Sequence, residues 1–166
     1  MAYKTEELEK TAIPIIGLSE GFNRINNKFD TELEFTKNLI PKLPQIIKEA
    51  YNLDVLTLRE QLVFNHRSIG LYQIITDIFI TTEQGIDLLI ECKNPKNTKS
   101  ELMIAMSQLM SYQFLMEITR KDVKIILATS YFEFFYIEFM QRFNLKYDLI
   151  INNKDTAAFW INDLQS

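Results

Sequence analysis

Two apolar segments separated by a short polar turn constrain the fold of this chain most strongly. The first runs from Ile74 to Ile80 and the second from Ile86 to Ile90, and each has the length and apolar content of a buried strand. Glu83-Gln84-Gly85 lies between them, and Gly85 can adopt the positive φ that a tight turn requires. The pattern therefore predicts two buried strands that run antiparallel as a hairpin.

Three charged side chains accompany these apolar segments. Asp77 lies within the first segment, and Glu91 and Lys93 follow the second one. A charged group among Ile and Leu side chains loses hydration, so its presence needs a compensating role. Because side chains alternate along a strand, Glu91 and Lys93 share one face, whereas Ile90 and Cys92 occupy the other. Two acids and a lysine in this arrangement can hold a divalent cation and a water molecule beside a phosphodiester.

The Glu91-Cys92-Lys93 tripeptide is not specific by itself, because Asp122-Val123-Lys124 has the same acid-x-Lys pattern. Asp122 precedes its predicted strand and has no acid-bearing hairpin partner, so we interpret it as a solvated residue of a helix–strand turn. Only the first tripeptide has an acid, Asp77, on the neighbouring predicted strand.

A helix is predicted upstream, with Asp30 and Thr31 as candidate N-caps and a start near Glu32. Pro41 and Pro44 should kink or break this helix before it continues to residue 51.

The same helix has an apolar stripe, and Glu32 falls near the centre of it, whereas Glu34 falls on the opposite, polar side. We therefore expect Glu32 to be a third functional acid within a buried face. The alternative is a partly exposed acid that the helix dipole favours in the first turn. The stripe consists of Leu33, Phe35, Leu39, Ile40, Leu43, Ile46 and Ile47.

The remaining patterns predict a second helix over 101–119 and a third strand over 124–129. Residues 149–151 are expected to form a short edge strand, and the aromatic stretch 132–139 either a strand or a peripheral helix. We therefore expect an α/β (α+β) fold in which helices flank a central mixed sheet of four to five strands. Residues 1–166 would form a single domain, with 1–30 as a peripheral segment.

Composition sets limits on the class of protein. The 166 residues are 47% apolar, which suffices for the core of one ordinary domain. A single cysteine excludes an internal disulfide, and no secretory signal or membrane-spanning run is found, so we expect a cytoplasmic protein without membrane partners. The net charge of -4 argues against a general nucleic-acid binder, which usually has a basic balance.

The order of the motifs resembles that of the PD-(D/E)xK nuclease superfamily. It consists of a helix acid (Glu32), Asp77 on one strand, Glu91 and Lys93 on the next, and a following helix with Gln108-Leu109-Met110-Ser111-Tyr112. The Gln-x-x-x-Tyr spacing is similar to the helix motif of RecB-like nucleases. The resemblance implies a restriction endonuclease-like core.

Within the superfamily, the chain looks most like the N-terminal nuclease domain of type I restriction enzyme R subunits and small related restriction-like proteins. Those proteins often show a helix Glu followed seven residues later by Leu-Ile, which Glu32 and Leu39-Ile40 match. The resemblance covers about residues 32–129. It departs at Thr76, where many members have Pro.

The resemblance implies an Mg²⁺-dependent DNA endonuclease of restriction or DNA-processing type, with Mn²⁺ expected to substitute. Asp77 and Glu91 would bind the cation, together with the Cys92 backbone carbonyl and, directly or through water, Glu32. Lys93 would orient or deprotonate the attacking water and stabilise charge on the phosphate. The soft thiol of Cys92 would point away and not serve as a ligand.

Supporting roles are expected for four further residues. Gln108 and Tyr112 lie one helical turn apart, so both could face the site, although a surface amide and a core aromatic are an equal alternative. Lys96 and Lys99 form, with Lys93, a basic loop that could contact phosphates or be a solvated turn.

Two other hypotheses remain open at this stage. The chain could be a non-catalytic nuclease-fold module that binds DNA or a partner subunit, which its acidic balance favours, or a metal-free protein with a chance motif. A double-strand cutter of this size commonly needs two sites, so a homodimer, or a separate subunit that supplies specificity, would be the expected partner.

Overall fold

The computed structural model describes residues 13–16, 29–66, 72–95, 98–119, 122–131 and 139–162. A 3₁₀ turn at Ile40–Lys42 connects the first two helices. In chain order the elements are β1 (Ile13–Ile16), α1 (Glu32–Leu39), α2 (Leu43–Tyr51), β2 (Val55–His66), β3 (Tyr72–Thr82), β4 (Asp87–Lys93), α3 (Thr98–Thr119), β5 (Val123–Thr129), β6 (Asp148–Asn152) and β7 (Ala157–Trp160).

The strands form one mixed sheet in the order β1-β7-β6-β5-β4-β3-β2. Strands β4, β5 and β6 are parallel, and the pairs on either side of them are antiparallel. A mixed α/β architecture is therefore confirmed, but the described residues contain seven strands rather than the four to five that we expected. The sequence pattern missed β2, whose apolar runs are broken by polar residues, and the four-residue strands β1 and β7.

The prediction that residues 149–151 form an edge strand is wrong. These residues belong to β6, which pairs with β5 on one side and β7 on the other and is therefore an interior strand. All five residues of β6 are buried. Strand β1 extends the sheet beyond β7, so the segment 1–30 contributes an edge strand. The expected element at 132–139 lies outside the described residues, apart from Phe139.

Helices α1 and α2 pack on one face of the sheet and α3 packs on the other. Cys92 and Ile90 belong to the core under α1 and α2, whereas Leu89 belongs to the core under α3. The predicted alternation along β4 is thereby confirmed. In the part of the chain that the structure describes, no helix combines the length and the apolarity needed to cross a membrane.

The β3–β4 hairpin forms as predicted. Its turn contains Gly85 at φ 80°, a left-handed conformation in which a Cβ atom would be strained. Thr82 accepts the backbone N–H of Ile86 through Oγ1 at 3.1 Å and thereby fixes the turn. The ladder pairs Ile80 with Leu88 and Ile78 with Ile90, and it ends there.

Helix α1 begins with the predicted cap. Thr31 Oγ1 accepts the backbone N–H of Glu34 at 3.1 Å, and the Glu34 carboxylate accepts the N–H of Asp30 at 3.2 Å. This arrangement resembles a capping box, except that the Glu34 carboxylate accepts the N–H of the residue before the N-cap rather than that of the N-cap itself. Pro41 lies in the 3₁₀ turn and Pro44 in the first turn of α2, where a missing N–H costs no helical hydrogen bond.

Replacement of Thr31 by alanine should lower the free energy of unfolding by about 1 kcal/mol, because the Glu34 N–H then loses its acceptor. Urea denaturation measures this change. Lys37→Ala, at an exposed position of the same helix, is the control and should stay within about 0.5 kcal/mol of the parent. Equal effects of the two substitutions would contradict the capping role.

Candidate active site

The backbone around Asp77 departs from regular sheet geometry on both sides. Towards β2, Glu60 pairs with Ile78 and Leu62 with Thr76, so Gln61 lies opposite Asp77. Gln61 has φ 52°, which costs energy for a residue other than glycine. Its side chain donates to Asp77 Oδ1 at 3.3 Å.

On the other side of Asp77, strands β3 and β4 separate. The ladder ends at the pair Ile78 and Ile90, and the Asp77 side chain continues it, because Oδ2 accepts the Cys92 backbone N–H at 2.8 Å. The N–H and C=O groups of one strand residue point to the same side. The Cys92 carbonyl is therefore directed towards the β3 side, where the two strands separate, whereas the Lys93 carbonyl points to the other side and accepts the Ser130 N–H at 3.2 Å.

Glu91 is only 3% exposed and makes two polar contacts inside this gap. Its Oε2 accepts the hydroxyl of Tyr112 at 2.8 Å, and its Oε1 lies 3.5 Å from Lys93 Nζ. The same hydroxyl lies 2.9 Å from the Ile75 carbonyl oxygen. Tyr112 therefore contacts Glu91 and ties α3 to both β3 and β4, and it also packs in the core under α3. It thus has features of both alternatives considered for it.

Burial, and after it the negative charge of Asp77, raise the pKa of Glu91 from 4.5 to about 8. The Tyr112 hydrogen bond and the charge of Lys93 act in the opposite direction but do not compensate. In the protein without a cation, Glu91 thus retains a proton near neutral pH. A positive charge brought into the gap would remove this cost of ionisation.

The pKa of Glu91 predicts how stability depends on pH. Between its ordinary value of 4.5 and about 8, the folded protein holds a proton on Glu91 that the unfolded chain has lost. The free energy of unfolding should therefore fall as pH rises through this window, by up to roughly 5 kcal/mol, since one pKa unit corresponds to about 1.4 kcal/mol. Urea denaturation at pH 5 and pH 8 in a chelator measures the difference. Glu91→Gln should abolish most of it, and an unchanged pH dependence in that variant would contradict the assignment.

Glu32 reaches the site from the other face of the sheet. It lines a cleft of about 410 Å³ together with Asp30, Thr31, Lys93, Asn94, Glu101 and Ile104. Desolvation in the cleft raises the pKa of Glu32, as do the charges of Asp77 and Glu101, whereas Lys93 and a backbone hydrogen bond from Asn94 lower it.

The expectation that Glu32 lies in the middle of a buried helix face is wrong. Glu32 is exposed, and so is Leu33, at 61%. The apolar stripe of α1 is buried only from Phe35 onward, because the first turn is exposed at the cleft, which Lys93 and Asn94 also line. The alternative of a partly exposed first-turn acid therefore describes its burial better. Glu34 and Asp122 are exposed, as predicted.

The structure describes the remaining predicted site residues to different extents. Gln108 is half-buried on α3, and its Oε1 has no hydrogen-bond partner among the described residues. Lys96 lies outside the described residues, and Lys99 lies in the first turn of α3 with its side chain undescribed. Sequence reasoning missed Gln61 and Asn94, since neither belongs to a motif.

The donor set suits a hard cation. Asp77, Glu91, Glu32 and the Cys92 carbonyl offer only oxygen, which Mg²⁺ and Mn²⁺ prefer, and the Cys92 thiol is buried in the opposite core. Within the described ranges, no three ligating side chains already surround one point. The oxygen donors thus fit Mg²⁺ by their chemistry alone, and Asp77 and Glu91 are the two carboxyl groups among them that lie side by side.

Comparison of the chain with protein-family models, curated proteins and solved structures gives no significant match.

Proposed function

We propose that this protein is an Mg²⁺-dependent DNA endonuclease of the PD-(D/E)xK type, which hydrolyses phosphodiester bonds in restriction or DNA processing. One observation carries the proposal. Where β3 and β4 separate, the Asp77 carboxylate lies beside the buried Glu91 carboxyl, and Glu91 contacts the Lys93 ammonium, which lines the cleft. A fold gains no stability from burying Glu91 in this way, so a function is the better explanation.

Each residue has a distinct role in the proposed reaction. Asp77 and Glu91 would hold the cation, together with the carbonyl of Cys92, which follows Glu91 in the chain, and with Glu32 at the cleft. When bound, Mg²⁺ supplies positive charge that polarises the phosphodiester and acidifies water. Lys93 would orient the attacking water and stabilise the charge that develops on the phosphate.

Tyr112 supports this centre from α3, and Gln108, one helical turn before it, would do so as well. The Tyr112 hydroxyl fixes one oxygen of Glu91, which leaves the other oxygen directed towards Lys93. Gln108 has a buried amide oxygen that lacks a partner in the described part of the chain, so it can accept a hydrogen bond from a water molecule or from substrate.

A non-catalytic module that binds DNA or a partner subunit is the second candidate. The acidic character of the cleft favours it, because Asp30, Glu32 and Glu101 outnumber Lys93 among the charged lining residues. A phosphate backbone would enter such a cleft only after its negative charges are neutralised. This candidate predicts binding without turnover in either Mg²⁺ or Mn²⁺.

The two candidates are separated by incubating the purified protein with supercoiled plasmid, linear duplex and single-stranded DNA, each in Mg²⁺, in Mn²⁺ and in EDTA. The nuclease predicts cation-dependent cleavage of at least one substrate and none in EDTA. A gel-shift experiment in Ca²⁺ with the same substrates detects binding alone. Binding without cleavage in Mg²⁺ and Mn²⁺ would favour the module.

A further inference from the structure

Asn94 directly follows Lys93, and its side chain is 7% exposed. The amide makes three hydrogen bonds. Nδ2 donates to the Phe29 carbonyl oxygen at 2.6 Å, and Oδ1 accepts the Phe29 N–H at 3.2 Å and the Ser130 hydroxyl at 2.6 Å. One side chain thus joins the ends of β4 and β5 to the segment that leads into α1.

This two-point contact holds the start of α1. Phe29 is 6% exposed and packs edge-to-face on Phe35 of α1, with ring centroids 5.4 Å apart. Only two residues separate Phe29 from Glu32, so a fixed Phe29 backbone limits where the first turn can lie. The backbone N–H of Asn94 also lies near the Glu32 carboxylate and lowers its pKa. Glu32 is therefore held through the chain, by the fixed Phe29 backbone.

Apolar packing alone would not achieve this placement. Phe35 and Leu39 bury α1 against the sheet, but hydrophobic contacts are non-directional and allow a helix to shift along its axis. The first turn, where Glu32 lies, is exposed. The directional constraint on this turn comes from the hydrogen bonds of Asn94.

We propose that Asn94 is a positioning residue, which fixes Glu32 beside the Asp77, Glu91 and Lys93 cluster. The proposal deepens the proposed function and rests on it for its catalytic consequence. Replacement of Asn94 should therefore lower activity because Glu32 is displaced, in addition to any change in the stability of the protein.

Asn162 provides a matched control. It is 1% exposed, donates Nδ2 to the Leu145 carbonyl oxygen at 2.8 Å, and lies beside Asp148 at the start of β6. Strands β4 and β6 are parallel, so the start of β6 and the end of β4 lie at opposite ends of the strands. Asn162→Ala thus removes a comparable buried amide away from the cleft.

The experiment is a double-mutant cycle on Mn²⁺-dependent DNA cleavage with Asn94→Ala, Glu32→Gln and the double variant. Asn94→Ala should lower kcat/KM by about 10- to 100-fold in the parent, as the loss of residues that orient ligands does. In the Glu32→Gln background the same change should have an effect of less than about 3-fold. Asn162→Ala should leave kcat/KM within about 3-fold of the parent. Equal effects of Asn94→Ala in both backgrounds would overturn the proposal.

A second measurement does not depend on cleavage. Amide hydrogen exchange at Phe29, bonded to Asn94, and at Phe35, bonded to the Thr31 carbonyl, should accelerate in Asn94→Ala and not in Asn162→Ala. Unchanged exchange at both amides would overturn the positioning role even in a protein that cleaves DNA. Accelerated exchange in a protein without cleavage would instead support the positioning and reject the nuclease.

Discussion

Replacement of Lys93 by alanine should lower the rate of Mg²⁺-dependent DNA cleavage by about 10²- to 10³-fold, the loss that follows removal of one charge-stabilising group from an active site. Lys93 Nζ is the described cation closest to the carboxyl pair, at 3.5 Å from Glu91 Oε1. Loss of its charge removes the group that orients water and stabilises the phosphate. It also raises the pKa of Glu91, whose ionised form Lys93 favours.

Lys124→Ala is the matched control for this experiment. Lys124 belongs to the other acid-x-Lys tripeptide, and its Nζ lies 5.1 Å from the centre of the Tyr51 ring, on the α2 side of the sheet. Its replacement should change cleavage by less than about 3-fold. Circular dichroism and urea denaturation of both variants establish that they are folded. Cleavage by folded Lys93→Ala at the parent rate would contradict the proposed mechanism.

Replacement of Asp77 by asparagine should weaken Mn²⁺ binding by on the order of 100-fold or more and abolish measurable cleavage. The substitution isolates the charge, because the amide oxygen of asparagine can still accept the Cys92 N–H that Asp77 Oδ2 accepts at 2.8 Å. The fold should therefore persist. The variant should even gain stability near pH 8, since the charge of Asp77 raises the pKa of Glu91 and opposes its ionisation.

Isothermal titration calorimetry with Mn²⁺ measures the first effect, with Asp122→Asn as the control. Asp122 is the exposed acid of the second tripeptide, so its replacement should leave Mn²⁺ affinity unchanged. Equal Mn²⁺ affinity of the parent and Asp77→Asn would place any cation elsewhere and contradict the assignment of Asp77 as a ligand.

The hairpin was predictable from the sequence because local rules dominate there. Alternation fixes which face Glu91 and Cys92 occupy, and Gly85 marks the turn. The proximity of Asp77 in the middle of β3 to Glu91 near the end of β4 follows from the hairpin. The part of the site that depends on two adjacent strands could therefore be predicted from the sequence.

The burial of Glu32 could not be predicted correctly. Helical periodicity tells which side of the helix a residue faces, but it does not tell where along the sheet that residue lies. The periodicity places Glu32 in line with the apolar stripe, yet the first turn of α1 is exposed and lines the cleft. Its distance from the buried core depends on Asn94 and Phe29, which are 65 residues apart in the sequence. No pattern within α1 contains that information.

Strand β2 was not predicted, also because its placement depends on a distant part of the chain. Its residues alternate irregularly, and Gln61 interrupts the extended backbone with a positive φ. The strand is held by ten residue pairs with β3, a partner whose register cannot be read from β2 itself. The hydrogen bond that Gln61 donates to Asp77 could consequently be identified only from the structure.

The most direct test of the central claim is the rate of phosphodiester hydrolysis as a function of Mg²⁺ concentration, for the parent and for Glu91→Gln, on one labelled duplex. We predict hydrolysis that rises with Mg²⁺ and disappears in EDTA for the parent, and no measurable hydrolysis for the folded Glu91→Gln protein. Hydrolysis at the same rate in both proteins, or hydrolysis that persists in EDTA, would contradict a metal-dependent centre at Asp77, Glu91 and Lys93.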